Sequence, residues 1–189
     1  SGGAGMNSET HGYNSGGSGA SQQRDKYAFA SNVTAVDDGD HFAGHHSYAN
    51  GISSGTHGYV VGGNISGAGG SDVIDKFSFS SDGNATDVGN LTAITSNPHG
   101  ASSSTYGHCM GGYSPSAVTN VISRYSFASD GNAVDWGDLT LARHGASSSS
   151  ATTHGYCTGG VSTTNVIDKF PYASSSGSTD VGNLVTGGC

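Results

Sequence analysis

The sequence predicts an all-β chain, a β-propeller of four four-stranded blades or a four-blade section of a larger propeller. Three observations lead there. The 189 residues contain four copies of one unit whose starts lie 46, 49 and 48 residues apart, and self-similarity at such a period marks a repeat architecture. Each copy alternates aromatic with small or polar residues, the period of a half-buried strand. Helical periodicity is absent throughout.

The first element of each copy is His11-Gly12-Tyr13, His57-Gly58-Tyr59, Tyr106-Gly107-His108 or His154-Gly155-Tyr156. A glycine pair follows each of them, Gly16-Gly17, Gly62-Gly63, Gly111-Gly112 and Gly159-Gly160. Next comes a strand carrying an aromatic: Tyr27 in Arg24–Phe29, Phe77 in Val73–Phe79, Tyr125 in Val121–Phe127 and Phe170 in Val166–Tyr172. The last element ends in glycine: Val36-Asp37-Asp38-Gly39, Thr86-Asp87-Val88-Gly89, Val134-Asp135-Trp136-Gly137 and Thr179-Asp180-Val181-Gly182. From Asp25, Asp75, Ser123 and Asp168 to that glycine the interval is 14 in every copy, so these two strands and their turn form one fixed unit. The interval from the glycine pair to the same acid or serine varies as 9, 13, 12 and 9, which makes it a loop.

A small-residue stretch, His99-Gly100-Ala101-Ser102 or His144-Gly145-Ala146-Ser147, completes the unit and runs into the next His-Gly-Tyr. Each repeat therefore holds four strands, a to d, with small residues on a and b at a crowded centre and aromatic c and Val or Trp d filling the space between blades. Aligned in this way the chain is a single repeat domain, 1–189, with blades near 1–43, 44–92, 93–140 and 141–189. Residues 1 and 189 fall at the same point of the unit, so no offset of terminal strands closing a ring is expected.

The glycine pair ending strand b, the aromatic on c, Trp136 on d and the run from Leu139 to Ala146 resemble a kelch blade. The resemblance covers nearly the whole chain. Val88 and Val181 replace the family's Trp, Asp38 does so in the first repeat, and that repeat matches least well. The wording Val-Ile-Asp-Lys-Phe and Thr-Asp-Val-Gly-Asn-Leu is also similar to kelch-like repeat proteins of marine bacteriophages, of virion or tail-fibre type. The resemblance implies a rigid propeller displaying loops. Some kelch propellers are copper oxidases, but no motif here places their Tyr, Cys and His ligands.

Composition narrows the partners. Six Lys and Arg against 14 Asp and Glu give a net charge of −8, which removes the attraction that dominates nucleic-acid affinity. No apolar run approaches the length of a membrane span, and the start has no basic-apolar leader pattern. A Gly- and Ser-rich chain with few charges can be disordered, but nine Tyr, six Phe and repeated Val-Ile pairs argue for folding. Cys109 and Cys157 recur at one position of successive repeats, too far apart for a disulfide, and read as packing residues; Cys189 reads as a free thiol.

Few residues suggest chemistry. His11, His57 and His154 recur at one strand position and are the candidate metal ligands, although Tyr106 interrupts the series and a repeated His usually serves each blade alike. His41, His45 and His46 cluster without the spacing of a known site. Asp82-Gly83-Asn84 and Asp130-Gly131-Asn132 superficially match a calcium loop but lack its acidic end, and read as tight turns. Asn32, Asn64, Asn84 and Asn90 head glycosylation sequons. No nucleophile–base pair, paired carboxylates or phosphate loop stands out, so no catalytic residue and no cofactor is assigned.

The expected function is a non-catalytic binding or adhesion module on a virion or other extracellular surface. Constant strands joined by variable loops suit recognition of a glycan or protein surface, with Tyr48, Asn64 and Tyr113 as candidate contacts. Tyr113 reads equally as cover for a blade edge. One alternative is an architectural part of a tail, fibre or homo-oligomer; another is a propeller hydrolase or oxidase.

Overall fold

Every repeat opens with a two-residue hairpin turn; a serine hydroxyl fixes it in the first three, and Ala151 stands at that place in the fourth. In the first copy Ser8 N–H donates to His11 O at 2.9 Å while Ser8 Oγ accepts the His11 N–H at 3.0 Å. Ser54 and Ser103 repeat this arrangement before His57 and Tyr106. The turn joins strand a to strand b, giving β1 (Ala4–Asn7) with β2 (His11–Ser15), β5 (Asn50–Ser53) with β6 (His57–Val61), β9 (His99–Ser102) with β10 (Tyr106–Met110), and β13 (Ser147–Ser150) with β14 (His154–Thr158). This is a computed structural model, and it describes residues 2–17, 22–42, 47–65, 69–161 and 164–187.

The glycine inside His-Gly-Tyr answers the aromatic on strand c. The c strands are β3 (Gln23–Ala28), β7 (Ser71–Ser78), β11 (Val121–Ser126) and β15 (Val166–Pro171). In their pairing with strand b, Gly12 faces Tyr27, Gly58 faces Phe77, Gly107 faces Tyr125 and Gly155 faces Phe170. Each ring lies over its glycine, in the volume that a Cβ would occupy. Gly58→Ala would drive a methyl into the buried Phe77 ring, and overpacking of this kind costs about 1–3 kcal/mol. A lowered urea midpoint at unchanged m-value would report it, whereas unaltered stability would contradict the close approach.

The constant interval of 14 resolves into a turn and a bulge. The d strands are β4 (Val36–Asp40), β8 (Thr86–Thr95), β12 (Val134–Asp138) and β16 (Thr179–Asn183). All four slip register against strand c at the Asp-x-Gly step. Asp37, Asp87, Asp135 and Asp180 each accept the N–H of the glycine two residues on, at 2.8–3.0 Å. These glycines hold φ between 116° and 152°, a region favouring glycine. A bulge of one extra residue re-aims a side chain; here Asp38, Val88 and Trp136 turn toward the following blade.

The result is four antiparallel four-stranded sheets in the order a-b-c-d, with no helix among the described residues. The a strands meet in the order β1, β5, β9, β13, and no contact of that extent joins β13 back to β1. They also line a cleft of about 270 Å³ that includes Gly5, Gly51, Gly100 and Ser148. Small residues therefore do occupy the centre, and the sheets stand side by side like propeller blades.

Three apolar cores fill the seams. Tyr13 packs against Phe77 and Phe79 in the first, and Tyr59 against Tyr125 and Phe127 in the second. His108 takes the tyrosine's place against Phe170 and Tyr172 in the third. The turn of the later blade also bonds to the d strand of the earlier one: Ala85 N–H donates to Asp40 O at 2.7 Å, Ala133 N–H to Asn90 O at 2.8 Å, and Ser178 N–H to Asp138 O at 2.8 Å. Cys109 and Cys157 are free and buried in the second and third cores. Burial pushes their thiols up to about 12 and about 11, so neither is a ready nucleophile.

One sequence alignment is corrected. His144-Gly145-Ala146 matches His99-Gly100-Ala101 by letter, but Gly100 pairs with Cys109 whereas Ser148 pairs with Cys157. The short turn before strand b sets the register, so Ser148 is the counterpart of Gly100 and residues 144–146 lie in the linker.

Candidate recognition face

Strand direction gives the molecule two unlike rims. One carries the a–b and c–d turns. The other carries the b–c loops and the d–a linkers, so residues far apart in sequence collect there. On this linker rim Phe42, Tyr48, Ile94, Tyr113, Leu141 and Val161 are exposed apolar side chains drawn from all four repeats.

The d–a linkers share a backbone feature. Tyr48, Asn97 and Gly145 stand at the same linker position and hold φ of 56°, 53° and 63°. Glycine enters this left-handed region freely and Asn does so often, but a bulky residue there is a true outlier. Tyr48 is held in place by two main-chain bonds: its N–H donates to Gly2 O at 3.0 Å, and its carbonyl accepts the Asn97 N–H at 2.8 Å. Its side chain remains 41% exposed.

The other two predicted contacts lie on the same rim. Asn64 pairs with Ser47, its N–H donating to Ser47 O at 2.6 Å. Tyr113 pairs with Ser96 and Val118, and its ring, 42% exposed, meets the edge of His144 with centroids 5.9 Å apart. Tyr113 thus covers part of a linker and still offers ring surface. Asn97 and His144 complete this neighbourhood, with Asn97 Nδ2 at 3.4 Å from His144 Nδ1. The shared linker position is the signal that would have picked out Asn97; it emerges only once the strands are paired.

The turn rim is different in kind. A recess of about 520 Å³ there lies between the first two blades and is lined by Glu9, Thr10, Thr56, Ser78, Phe79 and neighbours. Its hydroxyls are largely engaged already: Thr10 and Thr56 bond to histidine rings, and Ser78 bonds to Ser80. The linker rim, with free aromatic surface, is the better candidate.

The candidate metal ligands do not converge. His11, His57 and His154 stand in separate blades, each with Nδ1 at 2.8–2.9 Å from the preceding Thr hydroxyl. Burial and nearby Lys76 lower the pKa of His57. Among the described residues no three His, Cys, Asp or Glu side chains form a metal-binding group. His41 is buried beside Ser15 and Asp75, with Ser15 Oγ 2.7 Å from its Nε2, while His45 and His46 lie outside the described residues, as does Cys189. The Asp-Gly-Asn segments are turns docked on a neighbour, with Asp82 paired to Lys26 and Asp130 to Lys76 at 2.7 Å. Asn84 Oδ1 and Asn132 Oδ1 accept the N–H groups of Asp40 and Asn90.

In comparisons with known proteins, no family model and no curated protein matches this chain.

Proposed function

We propose that this protein is a non-catalytic recognition module whose linker rim binds a glycan, on a virion or other extracellular surface. The observation that carries the reading is Tyr48. Holding a non-glycine residue in a sparsely populated backbone region costs about 1–3 kcal/mol and persists only where its surroundings impose it. The linker backbone, which holds the same conformation at Asn97 and Gly145, fixes the position of this ring, and the exposed ring itself belongs to none of the three cores. An aromatic face presented in a weakly charged setting suits the C–H face of a neutral sugar, and Tyr113 offers a second ring on the same rim. The blade-like sheets and constant strand framework support a kelch-type scaffold for these loops.

Tyr48→Gly separates binding from folding. Releasing the strained backbone should raise stability by about 1 kcal/mol, while sugar affinity should fall at least about tenfold, as expected for loss of a stacking aromatic. A glycan array followed by titration calorimetry of wild type, Tyr48→Gly and Tyr113→Ala tests this. Equal binding by wild type and Tyr48→Gly would sink the proposal, as would an array with no bound glycan.

A further inference from the structure

The chain builds one kind of seam three times and exposes both halves of a fourth. At each internal seam the earlier blade presents a tyrosine or histidine of strand b, a side chain of c and the bulge residue of d. The later blade presents its two c-strand aromatics, a b-strand residue and the c–d turn. Among the described residues, nothing comparable covers the forward face of the fourth blade or the rear face of the first.

The mismatch in burial is specific to those faces. Phe77, Tyr125 and Phe170 are buried, whereas their counterpart Tyr27 is 43% exposed and Phe29 beside it is more so. On the fourth blade, Val181 is 51% exposed where Val88 and Trp136 are part-buried. Tyr156, Ile167 and Leu184 are only half-buried, while Tyr59, Ile74 and Leu91 are buried.

The polar positions correspond too. Asp75, Ser123 and Asp168 each accept a main-chain N–H from the preceding blade, from Phe42, Thr92 and Thr140 respectively. Their counterpart in the first blade is Asp25, and the N–H in register on the fourth blade is that of Val185. Ala35 likewise stands where Ala85 and Ala133 donate across their seams. Gly182 holds φ 152° with open space before it, whereas the next blade's turn backbone crowds the site of a Cβ at Gly39, Gly89 and Gly137. One feature opposes a fourth seam: Asn14 occupies the place of Val60, Cys109 and Cys157, which are buried.

We propose that a second copy of this chain docks head to tail, the fourth blade of one copy packing on the first blade of the other to continue the internal seam. The interface is heterologous, joining two different faces of the same chain, and is independent of any glycan site.

The test is sedimentation velocity of the whole chain over a dilution series, with Tyr27→Glu and Val181→Glu as variants on the two faces. Both positions are exposed in the isolated chain, so circular dichroism should not change. Wild type is expected at twice 18.7 kDa or a higher multiple. Each variant should weaken association by roughly 30-fold or more, the effect of disrupting a central aromatic or apolar contact. An equimolar mixture of the variants should recover a one-to-one pair, because each retains the face that the other has lost. Asn14→Val should associate several-fold more tightly than wild type.

A wild type that is monomeric at every concentration overturns the proposal. So does disruption by only one variant, which would mean that a face meets its own copy, or a mixture that stays monomeric, or an Asn14→Val chain that gains nothing.

Discussion

Replacing Arg143 by Thr is expected to destabilise the chain by about 3–5 kcal/mol, the cost of leaving a buried carboxylate without its cation. Arg143 and Asp168 are both buried and ion-paired at the third seam. The guanidinium also donates to Gly159 O and Val166 O, both at 3.2 Å. Thr140 donates its hydroxyl to Asp168 at 2.7 Å and its N–H at 3.0 Å. One blade earlier the same positions hold Thr95 and Ser123, without charge. There Thr95 Oγ1 donates to Gly111 O at 3.2 Å, and Ser123 lies 2.6 Å from the Thr92 hydroxyl. The double variant Arg143→Thr with Asp168→Ser should therefore recover most of the loss. Urea unfolding of both variants decides it: a double variant no more stable than the single would show that the ion pair is not the source of the penalty.

The third seam should also weaken in acid. His108 is buried with its ring stacked on Tyr172 at 4.8 Å, and burial together with Arg124 lowers its pKa to about 4 from an ordinary 6.5. His99 is lowered to about 4 by burial, Arg143 and His144, and its Nε2 accepts the Ala146 N–H at 3.0 Å, a bond that only the neutral ring can make. In both cases the folded chain resists a proton that the unfolded chain takes up. Their stabilising effect is complete above pH 6.5 and is lost as pH falls toward 4, at roughly 1.4 kcal/mol per pH unit for each His. The loss totals about 3 kcal/mol apiece. His108→Tyr installs the residue found at Tyr13 and Tyr59 and should remove one His from that slope. Urea midpoints at pH 7, 6 and 5 would show it; parallel curves for the variant and wild type would refute the assignment to His108.

The blade is largely legible in the sequence because its determinants are local. The glycine of His-Gly-Tyr and the aromatic of strand c recur in every copy across a loop of varying length, and the constant interval to Asp-x-Gly marks strand, turn and strand as one piece. The bulge in that piece is hidden, since a one-residue slip alters pairing and leaves spacing untouched. The letter match of His144-Gly145-Ala146 with His99-Gly100-Ala101 misleads for the converse reason: hydrogen bonding through the hairpin turn outranks similarity of composition. Tyr48 can be picked out as a loop aromatic, but its backbone conformation depends on Gly2 and Asn97, which only the fold brings near. The buried state of Arg143 is equally invisible until Thr95 is seen to be its counterpart. Four similar units also do not state how many make a ring.

The three seams share apolar rings and differ in polar chemistry. The first sets His41 and an Arg24 stack on Phe77 beside Asp75, the second joins Thr92 to Ser123, and the third joins Arg143 and Thr140 to Asp168. Chains of near-identical units are prone to misassemble with a unit skipped. If the second blade docked directly on the fourth, the rings would still stack, but Thr95 would face Asp168 where Arg143 belongs and a buried carboxylate would lose its cation. The unequal seams thus act as an address for each blade, penalising folding errors that aromatic packing alone would tolerate.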